Sequence, residues 1–63
     1  MTVKDTLYIF AVLRGYDYQN AQTISDSMIR EYDLDNYVYT KAGSLSGGNK
    51  RKLTLAVAMI GEP

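Results

Sequence analysis

Residues 43–60, GSLSGGNKRKLTLAVAMI, join a glycine-serine turn to an apolar segment through three consecutive cations, Lys50, Arg51 and Lys52. Glycine costs about 1 kcal/mol relative to alanine inside a helix. Cations near a helix N-terminus also oppose the positive end of the helix dipole. The stretch therefore breaks two local rules at one place, and such places are more often functional than accidental.

The apolar segment predicts a helix that begins at or just after Ser46 and ends before Gly61, with Pro63 beyond it as a breaker. Its apolar residues form a stripe with wide flanks: Leu53, Ala56, Val57 and Ile60, then Leu55, Ala58 and Met59. A helix that is apolar nearly all round is typical of the interior of a larger protein. Since two short helices cannot enclose it, we expect the chain to be part of a larger domain.

Two further helices are predicted before this stretch. The first begins after Thr2, a good N-cap, has Asp5 as an acidic first-turn residue, and stops at Gly15. Its apolar face consists of Val3, Leu7, Phe10 and Ala11, with Tyr8 and Leu13 on the flanks. This spacing predicts a helix of about three to four turns.

The second helix is predicted to run from about Asn20 to Tyr32. Its apolar positions, again at helical spacing, are Ala21, Ile24, Met28, Ile29 and Tyr32. Residues 34–37 are expected to add a short turn. The segment YVYT at residues 37–40 is β-prone but short, and predicts an extended connection.

The composition limits the chemistry of the chain. A length of 63 residues allows one small domain at most. The absence of cysteine and histidine excludes disulfides, thiolate metal sites, cysteine nucleophiles and histidine bases from this segment. An acidic first half and a short basic run do not form the broad basic face that nucleic acid requires. The longest apolar run, residues 53–60, is far shorter than the ~20 residues that span a bilayer, so we expect a soluble segment.

Three explanations of the glycine-serine turn compete. The first is a flexible loop followed by a solvated basic patch, since glycine-serine runs are common. The second is a P-loop, because Gly43 and Gly48 have the outer spacing of G-x-x-x-x-G-K-[ST]. That match fails, because Asn49 occupies the position of the lysine and Lys50 comes one residue late.

The third explanation is an anion site at a helix N-terminus. With Ser46 as N-cap, the amides of Gly47, Gly48 and Asn49 would be free to point outwards. Glycine has no Cβ, so a phosphate can approach the backbone closely. A bound anion would offset both the cost of the glycines and part of the cationic repulsion.

The residues of this turn also carry a family resemblance. LSGGNKRKLTLAVAMIGEP (45–63) strongly resembles the signature motif, usually written LSGGQ, and the following helix of ATP-binding-cassette (ABC) ATPases. TVKDTLYIFAVLRG (2–15) is similar to the segment that follows the Q-loop and opens the helical subdomain of those proteins. Asn49 and the Lys-Arg-Lys run resemble the A subfamily of ABC transporters, the large eukaryotic lipid exporters.

The resemblance implies an all-α fragment of about three helices within a larger α/β P-loop NTPase domain. Residues 1–44 would belong to the helical subdomain, and residues 45–63 would be the signature motif and the helix after it. The parent would be an ATPase that moves lipid or another hydrophobic substrate across a membrane. This segment would lie on the cytoplasmic side, in contact with the transmembrane domains.

In the family, two cassettes pair head to tail around ATP, and each signature motif closes over the nucleotide of the other cassette. Carried over by position, Ser46 would bond the γ-phosphate through its hydroxyl, and the backbone of Gly47 and Gly48 would line it. Asn49 would stand where the family's glutamine approaches the nucleotide, although its side chain is one methylene shorter.

The groups that hold ATP and Mg²⁺ in this family have no counterpart in the sequence, which lacks a P-loop, a Walker B aspartate and a switch histidine. The tail AVAMIGEP imitates a Walker B strand, but Gly61 occupies the aspartate position, so Glu62 is not expected to be a catalytic base. We therefore expect neither a catalytic residue nor a metal ligand in this segment.

Two alternatives remain at this point. Soluble ABC ATPases of DNA repair or translation also carry signature motifs, and transmembrane helices elsewhere in the protein would decide between these classes. The second alternative is a small all-α interaction module with an anion-binding turn. It requires 63 residues to fold stably alone, and the all-round apolar last helix argues against it.

The isolated chain should neither bind nor hydrolyse ATP, because the groups expected to chelate magnesium and activate water lie outside it. Equilibrium dialysis of the purified 63-residue chain against labelled ATP measures this directly. Saturable binding at micromolar ATP would contradict the expectation.

Overall fold

The computed structural model describes residues 1–61 and consists of three α-helices joined by turns. Helix α1 spans Val3–Leu13, α2 spans Tyr18–Glu31 and α3 spans Gly47–Ile60. Two short 3-10 helices, Asp35–Tyr37 and Ala42–Ser44, lie between α2 and α3. Residues 1–61 contain no β-strand, so the all-helical architecture and the count of three helices are confirmed. The hypotheses about Glu62 and Pro63 lie outside the described residues.

Helix α1 begins where the sequence predicts. The Thr2 hydroxyl accepts a hydrogen bond from the Asp5 amide, and the Asp5 carboxylate accepts one from the Thr2 amide. These reciprocal bonds form a capping box that satisfies amides left without partners at the helix start. At the other end Gly15 adopts a φ of 102°, a left-handed conformation that glycine enters without steric cost.

The buried face of α1 is narrower than predicted. Val3, Leu7 and Ala11 are fully buried, but the side chain of Phe10 is 37% exposed. The core extends from the buried stripe towards Tyr8 and Val12, which pack against it, and Phe10 lies on the opposite flank. The assignment of Phe10 to the buried face was therefore wrong.

Helix α2 starts two residues earlier than predicted. The carboxylate of Asp17 accepts a hydrogen bond from the Asn20 amide at 2.8 Å and so makes Asp17, not a later residue, the N-cap. Ser25 is fully buried, and its hydroxyl donates to the carbonyl of Ala21 at 2.8 Å. This internal bond removes the cost of burying a hydroxyl. The small side chain of Ser25 is therefore accommodated in the interior. Helix α2, to which it belongs, packs more extensively on α1 than α3 does.

The connection from α2 to α3 turns rather than extends. The predicted short turn near residues 34–37 is present as the 3-10 helix Asp35–Tyr37. The extended conformation expected for residues 37–40 is wrong, because Val38 is helical (φ −51°, ψ −44°) and the Thr40 amide donates to the Tyr37 carbonyl. The compact turn directs the carbonyls of Val38 and Thr40 at the first amides of α1.

The core draws on all three helices and on the connections between them. Its buried apolar residues are Val3, Leu7, Ala11, Ala21, Ile29, Leu34, Leu45, Leu53, Ala56 and Ile60. In α3 the buried residues belong to the predicted stripe, whereas Leu55 and Met59 are 49% and 47% exposed. The described chain thus covers one side of α3 and leaves the other open. None of the helices in residues 1–61 is long and apolar enough to cross a bilayer.

Asp33 is placed at a cost to stability. Its φ is 56°, a left-handed conformation at the end of α2, where the amide of Leu34 donates to the carbonyl of Ile29 at 2.8 Å. Glycine is the usual residue at this position of a helix terminus, and a carboxylate there also opposes the helix dipole. Asp33→Gly should raise the free energy of unfolding by about 1 kcal/mol. Thermal denaturation followed by circular dichroism measures the change.

Asp33→Asn separates the two causes, since it removes the charge while leaving a side chain in the left-handed conformation. Asp35→Gly is the matched control, because Asp35 lies in the 3-10 helix and does not have a positive φ. A destabilised Asp33→Gly variant would show that the Asp33 side chain stabilises the turn in some other way.

Candidate functional site

The glycine turn ends in a helix cap of the predicted kind. Ser46 has the extended backbone of an N-cap (φ −62°, ψ 163°), and its Oγ accepts a hydrogen bond from the Asn49 amide at 3.3 Å. The Ser46 carbonyl accepts the next one, from the Lys50 amide at 2.8 Å. The predicted start of α3 is therefore confirmed. The expectation that the Asn49 amide is free is wrong, because the side chain of the N-cap Ser46 accepts its hydrogen bond.

The two amides before Asn49 are open. Within residues 1–61, the N–H groups of Gly47 and Gly48 have no hydrogen-bond acceptor, and both glycines are exposed. The corresponding first two amides of α1 behave differently, because they donate to the carbonyls of Thr40 and Val38. Two backbone donors at the positive end of the α3 dipole thus face solvent, an arrangement suited to an anion.

The glycines themselves are not required by the fold. Neither has a positive φ, and a Cβ built on Gly47 or Gly48 would meet no atom of its surroundings within 4 Å. Helix α2 also begins with exposed residues, but these are Tyr18 and Gln19. The amides of Tyr18 and Gln19 also lack an acceptor within residues 1–61, so among the helices described there α3 alone combines open amides with a bare backbone. Such a backbone permits close approach from outside.

The cations after the turn add positive charge without neutralisation. Lys50 and Arg51 are exposed and Lys52 is half-buried. The ion pair found in the described part of the chain joins Lys4 to Asp26 at 3.0 Å, and the first turn of α3 contains no acidic residue. The region around the open amides therefore carries a surplus of positive charge.

The turn is a surface and not a cavity. Residues 1–61 enclose no pocket, and they bring together no group of three or more side chains that could hold a metal ion. The predicted residues Ser46, Gly47, Gly48 and Asn49 lie together at the start of one helix.

Sequence reasoning did not identify the two features that anchor the turn to the rest of the fold, the burial of Leu45 and the pairing of residues 1–4 with residues 38–42. Leu45, directly before the cap, is buried in the core with 6% of its surface exposed. A single apolar residue between polar neighbours was the available signal for Leu45. The pairing of residues 1–4 with residues 38–42 had no such signal, because it joins segments distant in sequence.

Comparison with known proteins identifies relatives of the chain. The chain is 46% identical over 61 residues to ABC transporter A family member 2 of Dictyostelium discoideum, and the match covers 97% of the chain. It is 40% identical over 63 residues to the retinal-specific phospholipid-transporting ATPase ABCA4 of Homo sapiens, and that match covers the whole chain. The chain belongs to the A family of ABC transporters.

ATP-binding cassette sub-family A member 7 of Mus musculus is 44% identical over 64 residues, again across the whole chain. The ABC transporter A family segment spans only 3–4% of the length of these curated relatives. No protein-family model matches the chain, and no solved structure is significantly similar to it. The resemblance to the A subfamily is confirmed by the relatives.

The bare backbone at Gly48 should reduce the stability of α3. Since a Cβ at Gly48 meets open space, Gly48→Ala should raise the free energy of unfolding by about 0.5 kcal/mol through helix propensity alone. Gly15→Ala is the matched control and should lower it by about 1 kcal/mol, because Gly15 has a φ of 102°. Thermal denaturation of both variants measures whether each substitution raises or lowers the free energy of unfolding. A destabilised Gly48→Ala variant would show that the fold itself requires this glycine.

Proposed function

We propose that this chain is part of the ATP-hydrolysing cassette of an ABC transporter, and that its glycine turn contacts the ATP held by a second cassette. The contacting residues are Ser46, Gly47, Gly48 and Asn49. The observation that carries the proposal is the pair of glycines whose amides are open and whose missing side chains serve neither conformation nor packing. The fold gains no stability from the missing side chains, whereas their absence lets a phosphate approach the backbone closely.

Each residue of the turn has a distinct role in this proposal. The amides of Gly47 and Gly48 donate to phosphate oxygens. The Ser46 Oγ accepts from the Asn49 amide and keeps its own proton, so its hydroxyl can donate to the same anion. The amide of Asn49 is occupied by the cap, which leaves its side chain to approach the nucleotide. Lys50 and Arg51 strengthen the attraction for a polyphosphate without replacing these contacts.

The described residues fit the phosphate end of ATP and nothing more of it. They supply donors to an anion. In this proposal, Mg²⁺ and the rest of the nucleotide are held by parts of the protein outside this segment. When bound there, Mg²⁺ neutralises phosphate charge. This chain's share of the mechanism is a contact that exists only when ATP lies between two cassettes. ATP binding therefore favours the paired state, and loss of the γ-phosphate removes the contact.

The segment is proposed to belong to a larger α/β P-loop NTPase domain. Residues 1–44 would form its helical subdomain, and residues 45–63 the signature motif and its helix. The half-exposed side chains of Leu55 and Met59 support this, because a larger domain would cover the side of α3 that the described residues leave open. The small share of the relatives' length that the chain spans agrees with it.

The cargo is proposed to be lipid or another hydrophobic substrate, because the human relative is named a phospholipid-transporting ATPase. Transport requires transmembrane domains as partners, with this segment on the cytoplasmic side, where ATP is available. The three relatives described above carry transporter or ATP-binding-cassette names, which favours a transporter over a soluble ATPase of DNA repair or translation. We propose no nucleic-acid partner.

Gly47→Asp tests the proposal in the full-length transporter. An aspartate at this position stands between the amide and the phosphate and adds charge repulsion. Affinity for ATP at the cassette's own nucleotide site should be unchanged, whereas ATP-dependent cassette pairing should be lost. Turnover should fall by at least about 100- to 1,000-fold, the typical effect of losing one preorganised donor to a reacting phosphate or oxyanion. ATP affinity and turnover are measured side by side.

Gly43→Asp is the matched control. Gly43 is also exposed, and a Cβ built on it also meets no atom within 4 Å, but it lies before the cap and has no part in the proposed contact. It should retain turnover, since substitutions on an exposed surface usually change stability by no more than about 0.5 kcal/mol. Turnover of Gly47→Asp within about twofold of the parent would mean that the turn is only a loop.

A further inference from the structure

The glycine turn is connected by backbone hydrogen bonds to the beginning of the chain. Thr2 and Lys41 form an isolated antiparallel bridge, the one β-pairing in the described residues. Two amide-to-carbonyl bonds form this bridge, Val3 to Thr40 at 3.0 Å and Ala42 to Met1 at 2.9 Å, and a third, Lys4 to Val38 at 3.1 Å, extends it. We call this pairing of residues 1–4 with residues 38–42 the N-terminal clamp.

The hydrogen bonds continue from the clamp to the cap of α3. The Ser44 amide donates to the Lys41 carbonyl at 2.9 Å, and the Leu45 amide donates to the Ala42 carbonyl at 3.3 Å. Leu45 directly precedes Ser46, and its side chain is buried. Ala42 thus takes part in two bonds, since its amide donates to Met1 and its carbonyl accepts from Leu45. The position of the cap relative to α1 depends on both.

We propose that the N-terminal clamp positions the glycine turn for its phosphate contact, and that the Ala42 amide is the positioning group. This inference rests on the proposed function. Open amides at Gly47 and Gly48 favour an anion only if they are held in one direction before it arrives, since ordering them on contact would cost free energy. The clamp fixes the orientation of the turn through the segment that precedes Ser46, which is separate from the open amides that follow it.

Proline at position 42 removes this one donor with little other change. Lys41 has φ −62° and ψ 134°, the conformation that a residue preceding proline prefers. Ala42 is the first residue of a 3-10 helix, and proline fits the start of a helical turn. Ala42→Pro therefore deletes the amide that donates to Met1 while the local backbone can keep its course. Ala42→Ser keeps the amide and serves as the conservative control.

In the full-length transporter, Ala42→Pro should lower both turnover at saturating ATP and ATP-dependent cassette pairing about fivefold. This factor corresponds to about 1 kcal/mol, the net contribution of one hydrogen bond. ATP affinity at the cassette's own site should match that of the parent. Ala42→Ser should retain full turnover. A loss confined to pairing and turnover separates positioning from a general loss of structure.

Two results would overturn the inference. Equal turnover of Ala42→Pro and Ala42→Ser would show that the Ala42 amide does not position the turn. Equal losses of ATP affinity and of pairing would show that the clamp only stabilises the fold. If Ala42→Pro lowers the thermal midpoint, Val3→Pro and Val3→Ala repeat the comparison at the next bond of the clamp. Both variants replace the same buried side chain, and only proline lacks the amide that donates to Thr40. Equal turnover of that pair would also overturn the inference.

Gly47→Asp in the same assays keeps the two proposals apart. If Gly47→Asp leaves pairing and turnover unchanged, both the proposed function and the clamp inference are wrong. If Gly47→Asp lowers pairing and turnover but Ala42→Pro does not, only the clamp inference is wrong.

Discussion

The fold depends on the burial of one stripe of α1. Val3, Leu7 and Ala11 are completely buried, and α1 contacts both other helices, whereas α2 and α3 contact each other much less. Fully burying one aliphatic side chain of this kind is worth about 1.5–3 kcal/mol relative to leaving it exposed. Helix α1 is therefore the element on which α2 and α3 are assembled. Its N-terminus also fixes the connection that leads into the glycine turn.

The first two amides of the three helices differ in whether they have hydrogen-bond partners within residues 1–61. The amides of Val3 and Lys4 donate to carbonyls of the 38–42 connection and so hold the fold together. Helix α2 leaves its first amides open to solvent behind ordinary side chains. Helix α3 also leaves them open but begins with two glycines, which weaken the helix for no gain in packing. A stability cost without a structural benefit is the expected sign of a contact made outside the chain.

The exposed apolar side of α3 is also suited to a contact outside the described residues. Leu55 and Met59 lie half exposed beside a buried stripe that is complete without them. Relatives of the ABC transporter A family are far longer than this chain, which spans 3–4% of their length. A helix with one face in the core of the segment and another apolar face open is suited to lie between two parts of a larger protein.

The sequence by itself determined the three helices, the N-caps of α1 and α3, and the family. Thr2 with Asp5 and Ser46 with its glycines are local signals, because a cap depends on residues three positions apart, and the periodic apolar residues predicted all three helices. The cap of α2 at Asp17 is a local signal that the sequence reasoning missed. Only the tertiary structure decided that Phe10 is exposed and that residues 37–40 turn instead of extending. It alone revealed the N-terminal clamp. Side-chain burial on a helix flank and pairing between distant segments depend on where the other helices lie, and that is set by the packing of the whole chain.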